Sequence, residues 1–425
     1  MTKLLVVSDL GLPTGYGRIS SETYTRLAKR GYDIFGFGLS YDGLLPASYD
    51  GVPYPFYVSA GGGKPNWVEC VVNIANVVQP DIIHVVQDAP YAEAVRNAPM
   101  DWSRYGFMIT TPVDGAPVFP NWVKLMAGCD AALTISQFGV DTYRKAGVPA
   151  TLCRPGVDSN KFFRLPDEQR AALRAKLGIG AGAFVLGSAM MNQGRKLVSN
   201  SIRAFMEFAQ DKPDARYLLD MERTSPAGWD IPALCEQFGW DIRKLIFRDD
   251  MVRAGLLELR DRYNCMDAHA VISHREGYGL PVAEGMACGV ASMALDYCSG
   301  PELVGDGRGV LVRTIDYSEP GTWGGAEDRF PDMKDFVSGI QWLHDRPAER
   351  AAMAERGMMW SRQQTWDQAT DALQEAIERV VAKRKAIPPA SVPLHALQPP
   401  VGMMPVPTPA PRSVDGVALV EAPGA

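Results

Sequence analysis

The sequence has no Cys-x-x-Cys pair, no apolar run of membrane-spanning length, and no excess of positive charge. Its seven cysteines (70, 129, 153, 235, 265, 288 and 298) are scattered and odd in number. That argues against a disulfide framework and a zinc site and for a reducing, cytoplasmic setting. A transmembrane helix needs about 20 consecutive apolar residues, and no segment supplies them. The opening run Lys3-Leu-Leu-Val-Val-Ser8 is cut by Asp9, too early for the apolar core of a signal peptide. The net charge of −6 makes the chain a poor partner for nucleic acid, whose affinity comes from neutralised phosphates. A local basic patch stays compatible with it. From Ile387 onward aromatics vanish and proline becomes dense, the composition of a disordered tail.

What is there is a soluble globular composition, 46% hydrophobic and 22% charged, long enough at 425 residues for two domains. One stretch organises it: Ser273-His-Arg-Glu276-Gly-Tyr-Gly-Leu-Pro281-Val-Ala-Glu284-Gly-Met-Ala-Cys-Gly289. The apolar segment Ala268 to Ser273 reads as a buried strand. Pro281 suits a helix start, where a missing N–H leaves nothing unpaired, and Gly289 stops the helix. Strand, glycine loop and helix N-terminus together form a ready anion site. Glu276 falls in the loop. Glu284 falls in the first helical turn, near the same ligand.

This stretch resembles the E-x7-E motif of retaining glycosyltransferases built from two Rossmann-like domains, the GT-B architecture, and in particular family 4 (glycosyl transferases group 1). Two glutamates at that spacing occur often by chance; the embedded Gly277-Tyr278-Gly279-Leu280-Pro281 and Met286-Ala-Cys-Gly289 carry the likeness. Other segments agree with it. Gly15-Tyr-Gly17, after a first strand Leu4–Ser8 and before a helix from Ile19, is similar to the family's glycine-rich loop, and reads equally as a bare turn. Pro80-Asp-Ile-Ile-His84 matches a family strand, with His84 a core histidine. Ala131 to Ser136 matches a strand ending in serine, Arg154-Pro-Gly156-Val-Asp158 the interdomain link, and Gly300-Pro-Glu302-Leu-Val304 a helix start near the donor. At Thr111-Pro-Val113-Asp114 the family's histidine is replaced by Val113 while the acid is kept.

The resemblance implies an α/β fold of two Rossmann-like domains facing across a cleft: residues 1–158 on the acceptor side, 159–364 for the nucleotide sugar, a helix 365–386 crossing back, and a disordered tail 387–425. It implies retention of anomeric configuration. Glu276, Arg195, Lys196 and Asp114 would form the catalytic set. Gly15, Gly17, Arg195, Lys196, Glu276, Gly277, Tyr278, Gly279, Leu280 and Glu284 would bind the donor, with Glu284 on the ribose. Two cations at a helix start oppose the helix dipole, so a bound diphosphate accounts for Arg195 and Lys196 better than a solvated pair does. No Asp-x-Asp occurs, so a metal-held nucleotide has no support and no cofactor is expected beyond the nucleotide-diphosphate sugar itself. The acceptor would be a saccharide, a protein or a small molecule, with DNA disfavoured. It would meet Asp114 and the aromatic segments around Tyr54, Tyr57, Phe119 and Trp122. Asp114 reads equally as a turn former, and residues 41–67 as an irregular loop packing on itself. The alternatives to a transferase are an epimerase of the same architecture and a non-catalytic nucleotide-sugar binder.

Overall fold

The computed structural model describes residues 1–39, 52–59, 67–321, 325–385 and 403–405. They fall into two compact units: Met1–Gln87 with Ala94–Phe107 and Val381–Ala425, and Asp88–Glu93 with Met108–Val380.

The first unit is built on parallel strands whose apolar runs are buried on both faces, as such sheets require. They are β1 (Lys3–Ser8), β2 (Asp33–Gly38), β3 (Phe56–Ser59) and β4 (Ile82–Val86). β1 lies between β2 and β4, and β3 extends the β2 side. The chain therefore reverses direction across the sheet at β1 and β4. The short strand Met403–Pro405 pairs antiparallel with β3, Met403 opposite Ser59; the rest of the proline-rich tail lies outside the described residues. The helix Gly15–Lys29 starts four residues before the expected Ile19, because Thr14 caps it by accepting the Gly17 N–H at 3.0 Å. His84 is buried mid-strand, its Nδ1 hydrogen-bonded to the Tyr24 hydroxyl, and burial drives its pKa down to about 3. The segment expected to be irregular holds β3 and, from Trp67, the helix Trp67–Val78. Tyr41, Tyr49 and Gly61 to Gly63 lie outside the described residues.

The second unit contains three parallel strands in the order β5 (Gly106–Thr110, entering the unit at Met108), β6 (Ala131–Thr134) and β7 (Thr151–Leu152). Ser136 follows β6 and caps the helix Gln137–Lys145 through the Gly139 N–H. The unit also holds a six-stranded sheet of β8 (Val185–Ala189), β9 (Arg216–Asp220), β10 (Leu245–Phe247), β11 (Ala268–Val271), β12 (Ala291–Leu295) and β13 (Gly309–Val312), ordered β10-β9-β8-β11-β12-β13. Every recorded pairing in that sheet is parallel. A hairpin absent from the sequence reading, β14 (Thr314–Pro320) and β15 (Glu327–Pro331), follows β13. The link at Gly156 is fixed by close approach: a Cβ there would stand 2.1 Å from the backbone nitrogen of Trp366, first residue of the helix Trp366–Lys385. Among the described residues no helix is long and apolar enough to cross a membrane.

Candidate functional site

In an open parallel sheet, ligands gather beyond the carboxyl ends of the strands where the strand order reverses. In the six-stranded sheet that point lies between β8 and β11. Beyond β8, Asn192 pins the chain by bonding the backbone of Glu222 and Trp229. A turn of 3-10 helix, Gly194–Lys196, follows, and then Leu197 at φ 47°. A left-handed backbone costs a non-glycine residue about 1–2 kcal/mol. Leu197 joins that turn to the helix Val198–Phe208.

Beyond β11, the loop from Ser273 to Gly279 brings Glu276 to Lys196, whose ammonium bonds the carboxylate directly. Ser273 donates to the same oxygen at 3.3 Å, and the Arg195 guanidinium lies 3.7 Å from it. The two loops are stitched twice more: Arg195 Nη1 donates to the Arg275 carbonyl at 3.0 Å, and the His274 N–H to the Arg195 carbonyl at 2.9 Å. Burial pulls the Lys196 pKa down, reinforced by Arg195 and opposed by Glu276. Burial pushes Glu276 up, but Lys196 and Arg195 outweigh it and hold the carboxyl below its ordinary range. Glu276 is therefore ionised at neutral pH.

Gly279 sits at φ 98°, open to glycine but not to other residues, and starts the helix Leu280–Ala287. That helix directs its first N–H groups into the loop. The Ser299 hydroxyl bonds the carbonyls of Glu276 and Tyr278. Ser273, Glu276, Tyr297, Ser299 and Gly300 line a small pocket here. A Cβ on Gly277 would stand 2.6 Å from Pro112, so the glycine loop packs against the segment carrying Asp114.

The other sequence-chosen residues are placed as follows. Glu284 is in the second helical turn rather than the first, is 2% exposed, and accepts from the Tyr263 hydroxyl at 3.3 Å. Tyr278 is buried. Asp114 is 43% exposed at its side chain and lies 3.9 Å from Arg275. Val113, in the family's histidine position, is buried. Glu302 is held by Arg154 at 2.5 Å and by the Gln137 N–H at 2.7 Å. Gly15 and Gly17 belong to the first unit and open a helix rather than a loop; a Cβ on Gly17 would meet the Leu12 carbonyl oxygen at 2.1 Å. Beside them Asp9 accepts from Gln87 and Thr14, at the β1/β4 reversal. Tyr54 is 3% exposed and so is removed from any acceptor surface, whereas Phe119 is exposed, with its ring centroid 5.7 Å from that of Trp122. Among the described residues no three of His, Cys, Asp and Glu converge as metal ligands would. Sequence reasoning missed Arg275, buried and ion-paired with Asp328 at 2.6 Å. Its place beside Glu276 was a signal, but its partner is on the unforeseen hairpin.

No family model matches the chain. It is 29% identical over 279 residues to the D-inositol 3-phosphate glycosyltransferase of Kineococcus radiotolerans, covering 62% of this chain and 58% of that protein. The chain spans about half the length of the curated relatives it matches. Among solved structures it is similar to sucrose-phosphate synthase from Thermosynechococcus elongatus (TM-score 0.69, 15% identity, 90% of this chain and 100% of that one). Anabaena HepE in complex with UDP-glucose is another (TM-score 0.67, 17% identity, 89% and 100%). The fold is therefore GT-B, with two parallel-sheet α/β domains. Within that class, the Glu276–Gly289 signature and the named relatives are similar to the group 1, or family 4, type.

Proposed function

We propose that this chain transfers a glycosyl group from a nucleoside-diphosphate sugar to an acceptor hydroxyl, with retention of configuration and without a metal ion. The observation that carries the reading is the Lys196–Glu276 contact at the β8/β11 reversal, beneath the N-terminus of the helix Leu280–Ala287. Two cations and a helix dipole suit a diphosphate that gains charge as its bond to the sugar breaks. Glu276, kept ionised by its neighbours, accepts hydrogen bonds from sugar hydroxyls. The C1–O bond to phosphate breaks, the acceptor oxygen bonds C1 from the same face, and the acceptor proton passes to the departing phosphate oxygen. Asp114, exposed at the adjoining loop, orients the acceptor. Glu284 serves the ribose once the Tyr263 bond yields. One relative is named for an inositol phosphate and one structural neighbour holds UDP-glucose. A phosphorylated polyol acceptor and a UDP-sugar donor are thus the first pair to try. The free cysteines suit the cytoplasm.

The test is a thermal-shift panel of nucleotide sugars followed by a transfer assay with and without EDTA. Stabilisation by at least one nucleotide sugar is expected, through binding to the native state. Turnover should survive EDTA and fall about a hundredfold or more in Glu276→Gln and Lys196→Met. Wild-type turnover in both variants would dismiss this donor site.

A further inference from the structure

The hairpin β14–β15 stands outside the six-stranded sheet and packs on the loops of the site instead. Its second strand bonds the signature loop twice: the Arg329 N–H donates to the His274 carbonyl at 3.4 Å, and the His274 ring Nδ1 lies 3.0 Å from the Arg329 carbonyl. The Phe330 ring meets the His274 ring edge-on, centroids 4.6 Å apart. The same strand reaches the Asp114 segment, where the Glu327 N–H donates to the Ala116 carbonyl at 3.0 Å. Between these attachments lies Arg275. Its side chain is 5% exposed and forms an ion pair with Asp328 at 2.6 Å. Glycines make room for it: a Cβ on Gly115 would stand 2.7 Å from Arg275 Cδ, and one on Gly321 2.8 Å from Cζ. Burying this guanidinium is costly unless a carboxylate meets it. The sequence supplies that carboxylate from a segment some fifty residues downstream, whereas Asp114 stays at 3.9 Å.

We infer that the hairpin positions the site, with Asp328 acting through Arg275 to hold Arg195 and Glu276 in register for transfer. The route is short. Asp328 fixes the Arg275 side chain; the Arg275 carbonyl accepts from Arg195, and Arg275 is bonded to Glu276 in sequence. Asp328 and Arg275 are thus positioning residues that touch no reacting atom. The inference rests on the transferase reading above.

The experiment compares wild type, Asp328→Asn, Asp328→Glu, Arg275→Gln and the double variant Arg275→Gln/Asp328→Asn, using UDP-glucose and the productive donor of the panel. Asp328→Asn should lower kcat by about tenfold to a hundredfold, as small misplacements of catalytic groups do, with the donor KM changed less than about threefold and Tm nearly kept. Asp328→Glu, which keeps the charge, should recover most of the turnover. The double variant should be no slower than Arg275→Gln alone, because residues acting as a unit are not additive. Wild-type kcat in Asp328→Asn, losses that multiply in the double variant, or losses explained by the unfolded fraction would each overturn the inference. So would failure of both Asp328 variants to fold, since the hairpin would then be a foundation of the fold. If wild type binds no nucleotide sugar, the transferase reading fails separately, and amide exchange decides. Asp328→Asn should then speed exchange at Ser273–Gly279 by about tenfold while β8 and β9 stay unchanged; equal exchange in the two proteins would overturn the inference.

Discussion

The surroundings of Lys196 oppose a charge on it. It is 7% exposed, and burial together with Arg195 lowers its pKa below the ordinary 10.5. Glu276 makes that charge tolerable. Removing one member of such a pair leaves the other poorly solvated, whereas replacing both is often neutral. Glu276→Gln and Lys196→Met should each lower the unfolding free energy by about 1–3 kcal/mol. The double replacement should restore most of that loss while remaining inactive. A double-mutant cycle by urea unfolding measures it, and additive losses would mean that the two groups do not depend on each other. Both residues are legible in the sequence as site candidates. Their pairing is not, because it joins loops 80 residues apart and is decided by which strands are neighbours. The sequence offers Lys196 as a diphosphate contact, and in the protein it is the partner of Glu276 as well.

At the scale of elements, the helix Leu280–Ala287 depends on how it begins. An alanine at Gly279 would have to adopt φ near 98° and would bring its Cβ to 2.9 Å from Leu303 Cδ1. Gly279→Ala should therefore lower Tm and also weaken nucleotide-sugar binding, since the helix N-terminus faces the loop. Gly289→Ala, at φ 71° beyond the other end of the helix, is the control. It should lower Tm and leave binding alone. Equal effects on binding would show that only general stability is being read. The signature loop and this helix were legible because proline and glycine mark both ends. The hairpin was not: in Thr-Ile-Asp-Tyr-Ser-Glu-Pro only Ile315 and Tyr317 break the polar run, both are exposed, and no continuous apolar run marks a buried strand. Arg275 stayed hidden with it, its partner being Asp328.

For the molecule as a whole, acid stability is set in part by two histidines inside the sheets. His84 in β4 and His269 in β11 are buried, and burial lowers each pKa from 6.5 to about 3. Only the unfolded chain takes up these protons between those values. The stability is fully present above pH 6.5 and is lost as pH falls toward the folded pKa. At about pH 5 each histidine withdraws about 2 kcal/mol. Urea unfolding between pH 7 and pH 5 should show the uptake of about two protons, reduced by about one in His84→Gln or His269→Gln. An unchanged slope in both variants would mean that other groups set it. The two-sheet plan was legible from the buried strand runs and the glycine-marked turns. What the sequence did not display was burial and contact set by distant segments: Tyr54 turned inward and Met403 beside Ser59.

The site described above is electrically balanced before any ligand arrives. Arg195, Lys196 and Arg275 face Glu276, Asp114 and Asp328. On the proposed reading, taking up a diphosphate would be a counter-ion exchange rather than the filling of a positive hole. A bare phosphate competes with Glu276 for Lys196 and brings nothing to satisfy the carboxylate it displaces. A nucleotide sugar brings the hydroxyls that do. On the transferase reading, the internal counter-ion would filter abundant small anions out of the site, giving up some affinity for every anion in return for preference for the one that carries a sugar.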